Sequence, residues 1–279
     1  MRYFSKFSSI VCLLALLVQP AAAQEARFLN IFAAGSLRGA LDDIATEFTR
    51  QTTIKTHITY GPAGQLSRSL AAGQQTDIFL SANELYPLQL EKAGLADKPF
   101  AFIGNSICVL APQSLGLTEE TLLPFLLKPT TIIGISTPGI DPGGDYGWQV
   151  LSNLEHIQKL AAGSVLYRAR ALVGGTILAP TAPKGVNPIS YFLQSGIANV
   201  FLAYCSRHER EVSKESVRLA IPPTLNITVY YGGVLMTQAT HKQDARRFIE
   251  MIYSEKAQSI FRIYGFSPVQ KNSSLKVFQ

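Results

Sequence analysis

The spacing of apolar residues changes once between Leu29 and Arg50. Leu29, Ile31 and Phe32 form a short apolar run, Ala33 to Gly35 are small, and Leu37, Leu41, Ile44 and Phe48 then recur every three or four residues, with Arg38, Asp42, Asp43, Glu47 and Arg50 between them. This pattern predicts a strand, a tight turn at Ser36 and an amphipathic helix. Ser36 falls where its hydroxyl would accept from an early helical N–H. A helix start opened by small residues also leaves backbone donors able to face an anion. For one isolated unit of this kind, capping is the plainer role.

The unit repeats. Lys55 to Tyr60 alternates polar and apolar residues, then runs into Gly61-Pro62-Ala63-Gly64 and a second helix closed by Gly73. Asp77 to Ser81 predicts a third strand and Asn83 to Ala93 a third helix, stopped by Gly94. From Phe100 an apolar run continues through Ile103, Ile107, Val109 and Leu110 to Pro112; Thr118 to Leu127 predicts a short helix and Thr131 to Ile135 a buried strand. Ser136 to Trp148 is a glycine-rich loop opening a helix that continues to Leu154, and it matches neither GxxxxGK[ST] nor GxGxxG. Lys159 to Ala171 predicts a helix, Ile177 to Ala179 a short strand, Asn187 to Gly196 a helix with Pro188 in its first turn, and Asn199 to Cys205 a strand. Glu209 to Ser216 is polar. Val229 to Met236 predicts a strand, and Gln243 to Tyr264 one long amphipathic helix. Strands alternating with helices imply an α/β fold with helices on both sheet faces.

The first residues do not belong to this pattern. Arg2 and Lys6 precede an apolar stretch from Ile10 to Val18 and the small residues Ala21 to Ala23, which predicts a cleaved secretory signal over residues 1–23 and a periplasmic location. Cys12 lies inside the apolar stretch, so no lipid anchor is expected. Of 25 basic residues, 23 remain after Ala23, against 19 acidic ones. With no basic run or stripe, nucleic acid is not expected as a partner. Cys108 and Cys205 each lie in an apolar run, and pairing or separate burial are both open. His57, His156, His208 and His241 are scattered, and no metal-ligand spacing appears. Neither Ser36 nor Cys108 carries a nucleophile signature, so the chain is not expected to be an enzyme.

Four loops, around Ser36, Gly61 to Gly64, Pro142 to Gly144 and Val186-Asn187, thus present helix N-termini. In an open α/β sheet such loops gather beyond the carboxyl ends of the strands. If two lobes close face to face, four positive dipole ends surround one small anion without any Lys or Arg.

The chain resembles the periplasmic molybdate-binding proteins of ABC transporters at Phe32 to Leu37, Thr76 to Asn83, the segment around Pro142-Gly143-Gly144, Val200 to Tyr204, and Tyr264-Gly265-Phe266. The resemblance implies a two-lobed type II periplasmic-binding-protein fold: mixed sheets flanked by helices, with the ligand cleft between lobes. Lobe 1 is expected over residues 24–102 and 216–279, lobe 2 over 103–215. It implies capture of a tetrahedral oxyanion, molybdate or tungstate first, by hydroxyl and backbone donors, with no cofactor. The protein would act as a monomer and deliver its cargo to an inner-membrane ABC permease. Ser36 matches the family's first serine, Tyr204 its tyrosine, Gly143 the small residue of the third loop and Val186 the donor before the fourth helix. The second serine is replaced by Ala63, Pro62 has no N–H, and the N–H groups of Ala63 and Gly64 are the remaining candidates.

Asp141 and Asp145 flank the third loop, where a carboxylate facing the pocket would repel a dianion. They are expected to cap the loop and helix and point away. Tyr60, Tyr146, Tyr230 and Tyr231 would enrich the cleft in phenols, and phenolates with carboxylates suit ferric iron, so a ferric complex is the alternative cargo. Within a strand only one of Tyr230 and Tyr231 can face the cleft.

Overall fold

The computed structural model describes residues 28–175, 181–206 and 215–269. The expected signal segment and the expected strand at Ile177 to Ala179 lie outside the described residues, as does most of the polar stretch from Glu209.

Each predicted strand–turn–helix unit near the N-terminus forms. Strand β1 (Phe28–Ala34) leads through a 3-10 turn (Gly35–Leu37) to α1 (Arg38–Thr52), β2 (Lys55–Gly61) to α2 (Ala63–Ala71), and β3 (Ile78–Ser81) to α3 (Leu85–Lys92). Gly73 (φ 98°) and Gly94 (φ 73°) take the left-handed conformation just past α2 and α3, which ends each helix at little steric cost. The remaining elements are β4 (Phe100–Asn105), β5 (Ile107–Pro112), α4 (Glu119–Leu127), β6 (Ile133–Ser136), α5 (Pro142–Ile157), β7 (Ala169–Val173), α6 (Pro188–Gln194), β8 (Val200–Tyr204), β9 (Ser216–Ala220), β10 (Val229–Leu235), α7 (Lys242–Tyr253) and α8 (Glu255–Ile263).

Two five-stranded mixed sheets result, in the orders β2-β1-β3-β10-β4 and β7-β6-β8-β5-β9. In the first, β1 pairs parallel with β2 and β3 while β10 runs antiparallel to β3 and β4. The second repeats this plan: β6 pairs parallel with β7 and β8, and β5 runs antiparallel to β8 and β9. Each sheet has its own apolar core, built around Ile31, Phe48, Phe79 and Phe248 in lobe 1, and around Val109, Ile135, Leu151 and Leu202 in lobe 2.

The chain changes sheet at Ser106 and again between Ala220 and Val229. Both points differ from the expected boundaries after residue 102 and before residue 216. The run from Phe100 to Pro112 is apolar throughout because both halves are buried, so its periodicity carries no mark of the switch. The two crossings are stitched together: Asn226 Nδ2 donates to the Ile107 carbonyl (2.8 Å), and Ile107 N–H donates back to Asn226 Oδ1 (3.2 Å). A Cys108–Cys205 disulfide joins β5 to the end of β8 beside this hinge.

Two predicted helices take other forms. Residues 159–168 wrap around Glu155, whose carboxylate accepts from the N–H groups of Gly163, Val165 and Leu166 at 2.6 to 2.9 Å, and the chain then enters β7. The long C-terminal helix divides at Ser254, whose hydroxyl accepts from Ala257 N–H and caps α8. Apolar spacing continues across the break because Phe248, Ile252, Ala257 and Phe261 all face one core.

Candidate functional site

The cleft lies where the carboxyl ends of β1, β2, β6 and β8 face each other across the hinge. Tyr146, Tyr204 and Ile227 pack against both lobe cores, and hydrogen bonds join α2 of lobe 1 to the loop before α5 of lobe 2. Gly64 N–H, at the start of α2, donates to the Ile140 carbonyl (3.0 Å), and Arg68 Nη1 donates to the Gly139 carbonyl (2.9 Å). A Cβ at Gly64 would sit 2.6 Å from Tyr86 Oη and 2.7 Å from the Ile140 oxygen, so this approach requires glycine. The lobes are closed on one another.

Ser36 does not cap α1. That helix starts without a side-chain cap, and the Ser36 hydroxyl pairs instead with the Tyr231 hydroxyl at 2.9 Å. Tyr231, fully buried, also accepts from Asn105 Nδ2 (3.2 Å). Asn105 ends β4 and holds the hinge: its Nδ2 donates to Ser206 Oγ (2.8 Å), and its Oδ1 accepts from Ser206 N–H (3.2 Å) and Ser106 N–H (2.9 Å). A chain of polar contacts therefore runs from the crossing strands to Ser36. The Tyr204 ring is tilted against Tyr231 with centroids 5.6 Å apart, and Tyr146 lies edge-on to Tyr204 at 6.4 Å. Although Tyr204 is half-buried as a residue, its hydroxyl oxygen is sealed from solvent and makes no well-formed hydrogen bond among the described residues; its polar neighbour is the Tyr231 hydroxyl, whose phenol it pulls downward against the effect of burial. Burial pushes the phenols of Tyr146, Tyr204 and Tyr231 well above the usual tyrosine range, so all three are protonated donors.

The third loop is engaged by its own acids. Asp141 Oδ1 accepts from Gly143 N–H (2.9 Å) and N-caps α5; Asp145 Oδ1 accepts from Gly139 N–H (2.7 Å). Capping is as expected for both, but Asp141 does not point away. It is half-buried, and its charge adds to the upward push on the Tyr204 and Tyr231 phenols. Desolvation raises the Asp141 carboxyl above the usual range, against the lowering by Gly143 N–H and Ser136. A Cβ at Gly143 would lie 3.4 Å from Tyr204, from Asp141 Oδ1 and from Ser136 Oγ, which puts the α5 N-terminus against the Tyr204 phenol.

Of the expected ligand residues, Ser36, Gly143 and Tyr204 are gathered around Tyr231 and Asp141. Ala63 is buried at the first turn of α2, and the Gly64 donor is engaged by Ile140. Val186 is not brought in: it is 43% exposed, and its N–H donates to Pro183 in its own loop (3.1 Å), a local turn allowed by Gly185 at φ 83°. Tyr60 is directed away as well, donating to Asp42 on the outer face of α1 (2.6 Å). Asn105 and Tyr86 carry no motif; the polar end of the apolar stretch from Phe100 is the one local sign of the former. The Thr76-Asp77 part of the resemblance has a structural role. Asp77 accepts from Asn30 N–H and His241 N–H (2.9 and 3.0 Å), tying β1 and the start of α7 to β3.

A family model of bacterial extracellular solute-binding proteins matches residues 29–267. The chain belongs to that family. An uncharacterised protein of Pasteurella multocida is 30% identical over 86% of this chain and 98% of its own length. Among solved structures, the periplasmic molybdate-binding protein of Azotobacter vinelandii aligns with TM-score 0.69 at 21% identity, covering 87% of this chain and all of that one. The sulfate-binding protein SubI of Mycobacterium tuberculosis aligns equally well, at 18% identity over 88% of each chain. These likenesses establish the type II periplasmic-binding-protein fold.

Proposed function

We propose that this protein is exported through its N-terminal signal to the periplasm, captures a small tetrahedral oxyanion between its lobes, and presents the closed complex to an ABC permease as a monomer. The observation that carries this reading is the Tyr204 hydroxyl: protonated, sealed and without a well-formed hydrogen bond among the described residues, beside the Ser36–Tyr231 pair and the α5 N-terminus. A buried donor without a well-formed hydrogen bond is costly, and an anion oxygen supplies the missing acceptor. Molybdate and tungstate are the first candidates, in keeping with the resemblance at Ser36, Gly143 and Tyr204. The family is one of extracellular solute-binding proteins, which supports a binding role over a catalytic one.

Thermal unfolding of ligand-stripped protein with molybdate, tungstate, sulfate, phosphate or ferric citrate tests this. A ligand at about one hundred times its dissociation constant adds roughly 2.7 kcal/mol. Stabilisation by one or more oxyanions supports the reading. Stabilisation by ferric citrate alone replaces the oxyanion with a ferric cargo on the same fold.

A further inference from the structure

In the closed structure, the Gly143 N–H that an oxyanion would need is occupied by the protein's own carboxylate, Asp141 Oδ1, at 2.9 Å. Asp141 belongs to none of the ion pairs among the described residues. Its surroundings are acidic or neutral from every side: Asp145 and Tyr146 on α5, Ser136 ending β6, Tyr204 ending β8, Tyr231 on β10 and Tyr86 on α3, with Glu84 beside Tyr146. The nearby cation, Arg68, donates to the Gly139 carbonyl. Asp141 Oδ2 lies against the backbone at Gly174, 3.2 Å from where a Cβ would stand, so the carboxylate has little room to retreat. An anion reaching the Tyr204 hydroxyl meets the half-buried Asp141 carboxylate, where repulsion between like charges is stronger than in open water.

We propose that Asp141 makes oxyanion capture proton-coupled: each anion enters with one proton, held between the Asp141 carboxyl and an anion oxygen. This rests on the oxyanion reading above. The proton comes from solvent when the anion carries none, as with molybdate or sulfate. It arrives on the ligand when the anion is already protonated, as with hydrogen phosphate. Asp141 thereby ranks cargo by whether it can donate a hydrogen bond, a choice neutral hydroxyls and N–H groups cannot make, and anions lacking a proton bind more weakly as pH rises.

Titration calorimetry at pH 8, in buffers of different ionisation enthalpy, reads the proton directly. Wild type is expected to take up about one proton per molybdate or sulfate and none per hydrogen phosphate, and its affinity for the first two should fall roughly tenfold per pH unit. Asp141→Asn keeps an acceptor for Gly143 N–H and so keeps the cap. It is expected to abolish proton uptake and the pH slope, and to bind molybdate or sulfate at least about tenfold more tightly at pH 8. Binding without proton uptake in wild type, or an unchanged pH slope in Asp141→Asn, overturns the proposal while leaving the oxyanion reading intact. Absence of binding by any oxyanion to either protein overturns the reading on which it rests.

Discussion

The hydroxyls of Ser36 and Tyr231 lie 2.9 Å apart although 195 residues separate them. One follows β1, the other sits within β10, and Asn105 from the hinge holds the tyrosine from its other side. The cleft floor and the hinge therefore share one polar network.

Replacing Tyr204 by Phe separates ligand binding from folding. The substitution removes a buried hydroxyl that makes no well-formed hydrogen bond, so the ligand-free protein is expected to gain up to about 1 kcal/mol, a rise of roughly 2–4 °C for a chain this size. Oxyanion affinity is expected to drop by roughly 2- to 12-fold, the equivalent of one neutral hydrogen bond. Differential scanning calorimetry and titration calorimetry should move in opposite senses. A fall in both would mark Tyr204 as a packing residue.

Tyr231→Phe removes the bonds to Ser36 and Asn105 together. A loss of about 1–2 kcal/mol in denaturant unfolding is expected, because Asn105 keeps its bonds to Ser206.

Gly64→Ala tests the lobe contact. The added methyl collides with Tyr86 Oη and the Ile140 carbonyl, while alanine is favoured over glycine within a helix by about 1 kcal/mol. Lobe 1 is expected to stay folded and the cleft to open, seen as a larger radius of gyration in solution scattering and as weaker ligand binding.

Replacing Cys108 and Cys205 together by Ser opens a loop with a sequence separation of 97. Constraint of the unfolded chain by such a link predicts a loss of roughly 2–5 kcal/mol, measured by unfolding with and without the disulfide.

Glu155 predicts an acid limb. Desolvation opposes its ionisation, but the N–H groups of Leu166, Gly163 and Val165 outweigh it and hold the carboxyl below its usual value of 4.5. A lowered folded-state pKa gives stability that is complete above the unfolded value and lost as pH falls through the folded one. Glu155→Gln should flatten the decline of stability below about pH 4.5 and lower stability at neutral pH.

Local periodicity and helix-start chemistry were enough to determine the α/β alternation, the turns at Ser36, Gly61 to Gly64 and Pro142, and the capping by Asp141, since each depends on neighbours within a few residues. Short motifs spread along the chain pointed to the family. Tertiary structure alone decided the rest. The sheet switch at Ser106 is invisible because strands buried in either core look alike. The Cys108–Cys205 link, the meeting of Ser36 with Tyr231, the turning away of Val186, and the placing of Asp141 beside Tyr204 all depend on how two lobes close. Closure joins residues whose separation along the chain leaves no period or spacing to read.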